Sequence, residues 1–208
     1  WSPDGKRILF ISNVFKGEKA KDSDVKIIRR LKYKYNGRGF FEGKYTHLFV
    51  IPEEGGKPRD LTDGEYDVEA FDWSSDGTYA FFVSNLGKDA DTSFFRNIYR
   101  IPIKGGKPEL IFSGKGPIGA IKCSPDGGQL TFTGSTIDDP NIVQFKNTAL
   151  WVTASGGEEA KNLTAILDRT IGDECLIWAH DSKNIYFKAD DLGSTHIYRA
   201  SLSGEVEQ

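Results

Sequence analysis

One short phrase recurs along this chain and constrains its fold more than any other feature. It reads Trp1-Ser-Pro-Asp-Gly5, Trp73-Ser-Ser-Asp-Gly77, Cys123-Ser-Pro-Asp-Gly127 and, in a degenerate form, Trp178-Ala-His-Asp-Ser182. The copies start 72, 50 and 55 residues apart, and the last two intervals match the spacing of β-propeller blades. The first interval is long enough for a blade with an insertion. An alternating apolar run follows each copy, and this period of two predicts a β-strand.

A second phrase follows each copy and supplies the remaining strands of a blade. Its forms are Thr46-His-Leu-Phe-Val-Ile-Pro52, Asn97-Ile-Tyr-Arg-Ile-Pro102, Ala149-Leu-Trp-Val-Thr153 and His196-Ile-Tyr-Arg-Ala200. The first three run into Gly-Gly pairs and then into a further short apolar stretch. The sequence therefore predicts an all-β protein, a β-propeller of four-stranded antiparallel blades with almost no helix.

The recurring Asp of the first phrase is interpreted as a turn residue and not as a metal ligand. Asp4, Asp76, Asp126 and Asp181 each follow the end of a strand, tens of residues apart, where an Asp side chain caps its own turn. The Trp that begins a copy of the phrase is expected to end an inner strand and to fill the wedge between neighbouring blades, as at Trp1, Trp73 and Trp178. Cys123 takes the equivalent place, which predicts a buried structural thiol.

About three and a half blades can be counted, because no inner strand precedes Trp1 and no outer strand is recognisable after Gly204. Propellers close with roughly 4–8 blades. We therefore expect residues 1–208 to be part of one propeller domain, in a parent ring of about six to eight blades.

Composition narrows the class of partner. The 208 residues carry a formal net charge of −3 with a pI near 5.7, which argues against a nucleic-acid footprint over the whole surface. No stretch reaches the roughly 20 apolar residues that a membrane helix needs. Cys123 and Cys175 are too few for a disulfide framework or a metal cluster. We expect free thiols in the cytoplasm, no cofactor or metal, and neither a nucleic-acid nor a membrane partner.

An insertion at about residues 14–45 is the part that the repeat does not explain. It has ten basic and four acidic residues, a net charge of +6, which leaves −9 on the rest of the chain. Interleaved aromatic residues and cations are a feature of RNA-binding surfaces. The alternative, which we favour, is a hairpin turning near Asn36-Gly37 that packs its apolar residues on the propeller or on a partner domain. We expect it on the face that carries the blade-to-blade connections.

The insertion also carries a family resemblance. The string Asp24-Val-Lys-Ile-Ile-Arg-Arg-Leu-Lys-Tyr-Lys-Tyr-Asn-Gly-Arg-Gly-Phe40, leading into Thr46-His-Leu-Phe-Val-Ile51, resembles the N-terminal propeller of acylaminoacyl peptidases, in the prolyl oligopeptidase family of serine peptidases. The resemblance covers the whole chain. The Trp-Ser-Pro-Asp-Gly phrase alone also resembles TolB-type propellers, which leaves a protein-binding scaffold as the alternative function.

The resemblance implies a C-terminal α/β-hydrolase domain outside residues 1–208, which the propeller covers so that only short peptides gain access. It implies that domain and the peptide substrate as partners, and a homo-oligomer is left open. The chain has no Gly-x-Ser-x-Gly pentad, so we expect no catalytic residue in it. The candidates for contact with substrate or partner are Arg29, Arg30, Tyr33, Tyr35, Phe40 and Phe41.

Overall fold

The computed structural model of the protein describes residues 1–16, 24–28, 30–37, 39–41, 43–157 and 159–208, and every regular element among them is a β-strand. The first sheet and the insertion contain β1 (Arg7–Phe15), β2 (Lys34–Tyr35), β3 (Gly39–Phe40), β4 (Lys44–Pro52) and β5 (Arg59–Asp60). The second sheet contains β6 (Ala70–Trp73), β7 (Tyr79–Ser84), β8 (Asn97–Pro102) and β9 (Glu109–Ser113). The third contains β10 (Ile118–Cys123), β11 (Gln129–Gly134), β12 (Ala149–Ala154) and β13 (Lys161–Asn162). The fourth contains β14 (Ile171–Trp178), β15 (Asn184–Asp191), β16 (Ser194–Ser201) and β17 (Val206–Glu207).

All strand pairs are antiparallel, and the last three sheets follow chain order across four strands, so the predicted propeller architecture is confirmed. Two expectations about the ends were wrong. Val206 pairs with Ala200, so β17 completes a fourth strand that the apolar pattern was too short to reveal. Trp1 is 71% exposed and fills no wedge, because the described first sheet begins at β1 and has no inner strand beside it.

The hydrophobic core is divided into three clusters, each lying between two adjacent sheets. In β7, Ala80 and Phe82 face the first sheet, whereas Phe81 and Val83 face the third. Successive side chains of a strand point to opposite faces, so a strand covered on both faces must be apolar at nearly every position. The third cluster joins the third and fourth sheets around Phe187.

The recurring turn is held by its own side chains, as the sequence predicts. The Ser74 hydroxyl donates to Asp76 Oδ1 at 2.6 Å, and the Thr78 amide donates to the same oxygen at 3.0 Å. The equivalent hydroxyl-to-carboxylate bond in the third sheet is also 2.6 Å long. These hydrogen bonds lower the pKa of Asp76, the Ser74 hydroxyl having the largest effect. In the degenerate copy Ser182 keeps the left-handed conformation of the glycine, with φ of 56°.

Inner strands are linked across blades near the same turns. Asp72 accepts a hydrogen bond from the Cys123 amide at 2.8 Å and lies 3.3 Å from Lys122 Nζ. The Trp178 indole donates to the Lys122 carbonyl at 3.2 Å. Burial raises the pKa of the Cys123 thiol to about 11, which fits the structural thiol predicted for this position.

Candidate functional site

The strand order gives the two faces of the propeller different connections. The Pro-Asp-Gly and Gly-Gly turns lie on one face, here called the turn face. The connections from second to third strands and from blade to blade lie on the other, here called the loop face. The insertion belongs to the loop face because it joins β1 to β4, whose pairing runs out to Phe15 and Lys44. Within it, β2 and β3 form a short hairpin across the turn at Asn36 and Gly37, and Gly37 has φ of 81°.

Arg30 fixes the insertion to the second blade. Its Nε lies 2.9 Å from Asp91 Oδ1 and its Nη2 lies 3.3 Å from Asp67 Oδ2. Its guanidinium carbon lies 4.4 Å from the centroid of the Tyr45 ring, a cation–π distance. Burial lowers the pKa of Arg30, but the charges of Asp67 and Asp91 raise it by more, so its pKa is above the ordinary value. The guanidinium is therefore a permanent charge held between two loop-face carboxylates.

Three further polar contacts extend this attachment. The Leu31 amide donates to Asp91 Oδ2 at 3.0 Å, and Lys32 Nζ donates to the Ala90 carbonyl at 2.7 Å. At the base of the insertion, Lys16 forms an ion pair with Asp63. The attachment is thus made by charged and polar groups along one edge of the second blade.

The aromatic residues of the insertion do not make this attachment. Tyr33 and Phe40 lie against each other with ring centroids 6.1 Å apart. Lys26 Nζ and Lys34 Nζ lie 4.8 and 5.3 Å from the centroid of the Phe40 ring. We call these four side chains the Phe40 cluster, and Tyr33 and Phe40 remain 42% and 39% exposed within it.

The six candidate residues therefore do not share one environment. Arg30 is half-buried against the second blade, Tyr33 and Phe40 form an exposed pair, and Tyr35 is exposed on the same hairpin. Phe41 is half-buried, and its amide donates to the Tyr33 carbonyl at 2.9 Å. Arg29 lies outside the described residues. Contact of these residues with substrate or partner stays a prediction.

The sequence predicted that the insertion packs its apolar residues on the propeller or on a partner domain. In the structure these residues remain largely exposed, and packing on a partner domain stays a prediction. Val25, Ile27 and Leu31 are 64%, 61% and 70% exposed. The contacts that the structure does contain use Asp67 and Asp91, which sequence reasoning did not identify. Their places in the chain could have indicated them. Asp67 lies between the first two blades and Asp91 lies between β7 and β8, and both connections belong to the loop face, where the insertion was expected.

Exposed apolar side chains are also concentrated on the loop face outside the insertion. Phe145 is 99% exposed and Ile166 is 82% exposed, both in loop-face connections. Leu192, at the tip of the β15–β16 hairpin, is 97% exposed and has φ of 48°, an unfavourable conformation for a bulky residue. Among the described turn-face residues, the most exposed large hydrophobic side chain is that of Trp1, at 71%. The most exposed apolar side chains outside the insertion thus lie on the loop face.

The described residues contain no grouping of three or more His, Cys, Asp or Glu side chains suited to a metal ion. The two histidines of the third strands serve the scaffold. His47 is buried, with Nε2 at 3.0 Å from the Gly64 carbonyl, and His196 Nδ1 lies 2.9 Å from Gln208 Nε2. A search of the described residues found no helix of the length and apolarity that a membrane crossing requires.

Comparison with known proteins gives a consistent result. The chain is 38% identical to the "Uncharacterized peptidase YuxL" of Bacillus subtilis, in an alignment covering 99% of this chain and 34% of that protein. Among solved structures, the acylaminoacyl peptidase of Pyrococcus horikoshii superposes with a TM-score of 0.70 at 19% identity, covering 100% of this chain and 30% of the other. TolB of Acinetobacter baumannii gives 0.61 at 21% identity, covering 98% and 41%.

The chain spans about a third of the length of the curated relative that it matches. At these identities the two solved structures show a shared propeller fold. Family membership is shown by a family model. Residues 4–140 match the model described as "Acylaminoacyl-peptidase, N-terminal beta-propeller domain", and this range includes the insertion and its attachment to the second blade. The chain therefore belongs to the family of acylaminoacyl-peptidase N-terminal β-propeller domains.

Proposed function

We propose that this chain is part of the non-catalytic propeller of a serine oligopeptidase of the acylaminoacyl peptidase type. In this proposal its loop face covers the active site of an α/β-hydrolase domain on the same polypeptide and limits access to short peptides. The family match over residues 4–140 is the observation that carries it. Two free thiols, Cys123 and Cys175, agree with the cytoplasmic location that we propose.

The exposed apolar residues of the loop face support the proposed orientation, in which this face is turned towards the hydrolase domain. Phe145, Ile166 and Leu192 are 99%, 82% and 97% exposed there, whereas on the described turn face the most exposed large apolar side chain is Trp1, at 71%. Apolar side chains held at the ends of rigid strands favour burial against another domain. A hydrolase domain seated on this face would bury them and leave the insertion at the margin of the enclosed space.

The outer faces of the first and fourth sheets support a larger ring. Ile177 and Ile197 are 57% and 63% exposed on the fourth sheet, and Phe10 and Phe49 stack, half-buried, on the outer face of the first. Ile98 and Leu150, the equivalents of Ile197 in the second and third sheets, are fully buried between adjacent sheets. We propose that further blades pack on these two faces to give a ring of about six to eight.

The test uses the complete polypeptide that carries this chain. We expect it to release acetylated amino acids from chromogenic reporters and to be labelled by a serine-directed fluorophosphonate, while residues 1–208 alone do neither. Replacing Tyr33, Tyr35, Phe40 and Phe41 together with Ser should alter the peptide length that the full enzyme accepts, or its assembly. The thermal midpoint of the propeller should change little. An early-melting variant with unaltered selectivity and assembly would contradict the proposed role of the insertion.

A protein-binding scaffold is the second candidate, and the TolB likeness over 98% of the chain favours it. The sequence of the complete polypeptide distinguishes the two functions. A Gly-x-Ser-x-Gly pentad followed by Asp and His in the same polypeptide would support the peptidase. Without such a pentad, and without fluorophosphonate labelling, the scaffold function stands.

A further inference from the structure

Asn36 and Gly37 lie exposed at the tip of the hairpin between β2 and β3. Among the described residues, none makes a hydrogen bond with the Asn36 side chain or with the Gly37 amide. Gly37 has φ of 81° and no side chain, so its nitrogen can approach the Asn36 side chain without the crowding that a larger residue would cause. The tip therefore combines a side-chain amide with a neighbour that leaves it open to intramolecular attack.

We propose that Asn36 is a site of spontaneous covalent modification, at which the side-chain amide is lost as ammonia and the residue becomes aspartate or isoaspartate. This inference goes beyond the proposed function and does not depend on it. The deprotonated Gly37 nitrogen attacks Asn36 Cγ and closes a five-membered succinimide as the bond from Cγ to Nδ2 breaks. Nδ2 takes a proton from solvent and leaves as ammonia. Water then opens the ring at either carbonyl carbon, and no oxidant or reductant is consumed.

The other asparagines of the chain lack a glycine after them. The sequence contains eight asparagines, and seven are followed by Val, Leu, Ile or Thr. A branched side chain on the following residue crowds the nitrogen that must attack, which slows ring closure. Asn141 is a useful comparison, because it is also exposed in a loop-face connection but precedes Ile142. The following residue, and not exposure, distinguishes Asn36 from Asn141.

Aspartate before glycine can close the same ring, and the fold disfavours this at each such position. Ring closure at Asp needs the neutral carboxylic acid, because an ionised carboxylate has no group that can leave. The chain has four Asp-Gly pairs, and the pKa of the carboxyl is lowered in all of them. The largest cause is a side-chain hydrogen bond, from Ser2 to Asp4, Lys16 to Asp63, Ser74 to Asp76 and Ser124 to Asp126. Of these five positions, all of them described, Asn36 is the one without a side-chain hydrogen bond.

The product changes both the charge and the main chain of the hairpin. A carboxylate at residue 36 lowers the net charge of the insertion, which is +6, by one, and it lies two residues from Lys34. Isoaspartate also adds a carbon atom to the main chain of the loop between β2 and β3. That extra length disturbs the register that pairs Lys34 with Phe40. The positive charge of the insertion favours the reaction, because it stabilises the anionic Gly37 nitrogen.

The test incubates the complete polypeptide in water enriched in the heavy oxygen isotope. Each conversion takes one oxygen atom from the water that opens the ring, so peptide mass spectrometry separates new conversion from older product. We expect label at residue 36 to accumulate roughly tenfold or more faster than at Asn141 or Asp76, because crowding or ionisation raises the barrier at those residues. Conversion should be faster at pH 8 than at pH 6, since the attacking nitrogen must lose its proton. The product should appear as a more acidic species in anion exchange.

Two glutamine variants complete the design. Asn36→Gln keeps the amide but would have to close a six-membered ring, which is slower, so the label at residue 36 and the acidic species should both be lost. Asn141→Gln is the matched control and should retain both. Three results would overturn the inference: label at residue 36 that accumulates no faster than at Asn141, label at Asp76 that keeps pace with it, and an acidic species that forms at the same rate in Asn36→Gln.

Discussion

Replacing Arg30 with Ala should detach the insertion from the second blade without unfolding the propeller. The side chain makes two carboxylate contacts, at 2.9 and 3.3 Å, and one cation–π contact, and it is 14% exposed. Charge-assisted hydrogen bonds contribute roughly 1.5–3 kcal/mol each when well buried. Asp67 and Asp91 are about a third exposed, so solvent screening reduces this contribution. We expect a local loss of about 2 kcal/mol.

The assay is amide hydrogen exchange of the insertion. A loss of about 2 kcal/mol corresponds to roughly 30-fold faster exchange where local opening limits protection. The amides to follow are those of Leu31, which donates to Asp91, and Phe41, which donates to Tyr33. The amides of β7 and β11 should keep their protection, because their contacts lie between blades.

Arg100→Ala is the matched control. Arg100 makes two hydrogen bonds to Glu109, at 2.8 and 3.0 Å, and lies 5.2 Å from the centroid of the Tyr79 ring, so it has similar chemistry on outer strands. Its removal should leave exchange in the insertion unchanged. Equal exchange at Leu31 and Phe41 in the Arg30 variant, the Arg100 variant and the wild type would refute the attachment described above.

Three further outcomes are expected. Asp72→Ala should lower the free energy of unfolding by roughly 2–4 kcal/mol in chemical denaturation, because it removes the acceptor that links two inner strands; a loss below about 0.5 kcal/mol, typical of surface positions, would contradict this role. Gly116→Ala should cost roughly 1–3 kcal/mol because the added Cβ would collide with the carbonyl of Ser135, whereas Gly156→Ala, with open space around it, should be neutral in the same measurement. Cys123 should resist alkylation at pH 8 in the folded chain, followed by mass spectrometry, because its raised pKa of about 11 leaves little thiolate; rapid labelling under native conditions would argue against its burial.

The blades could be predicted from sequence because their signals are local. In the turn at Asp76, the hydroxyl and amide groups that donate to the carboxylate lie within two residues of it. The residues of the phrase are therefore enough to predict the conformation of the turn. Strands such as β10, Ile118–Cys123, follow from an apolar run between turn residues. β17 was missed because two residues are too few for a periodic pattern.

The candidate site could be predicted only in part, because its contacts are long-range. Charge and aromatic content identified the insertion, and the strand order gave its face. The partners of Arg30 lie 37 and 61 residues away, and Asp67 and Asp91 look like ordinary loop acids in sequence. Nothing local distinguishes a cation that attaches the segment, such as Arg30, from one that remains on an exposed hairpin, such as Lys34. That distinction needs the folded structure.

The division of the core into three clusters has a consequence for how the chain loses structure. Each cluster joins only two neighbouring sheets, so stability is approximately a sum of sheet terms and interface terms along a line. When residues 1–208 are isolated, the first and fourth sheets of such an array fray before the second and third, and damage at one interface spreads no further than the sheets that share it. Resistance to opening should therefore rise from both ends of the 208 residues towards the cluster around Phe81 and Phe132.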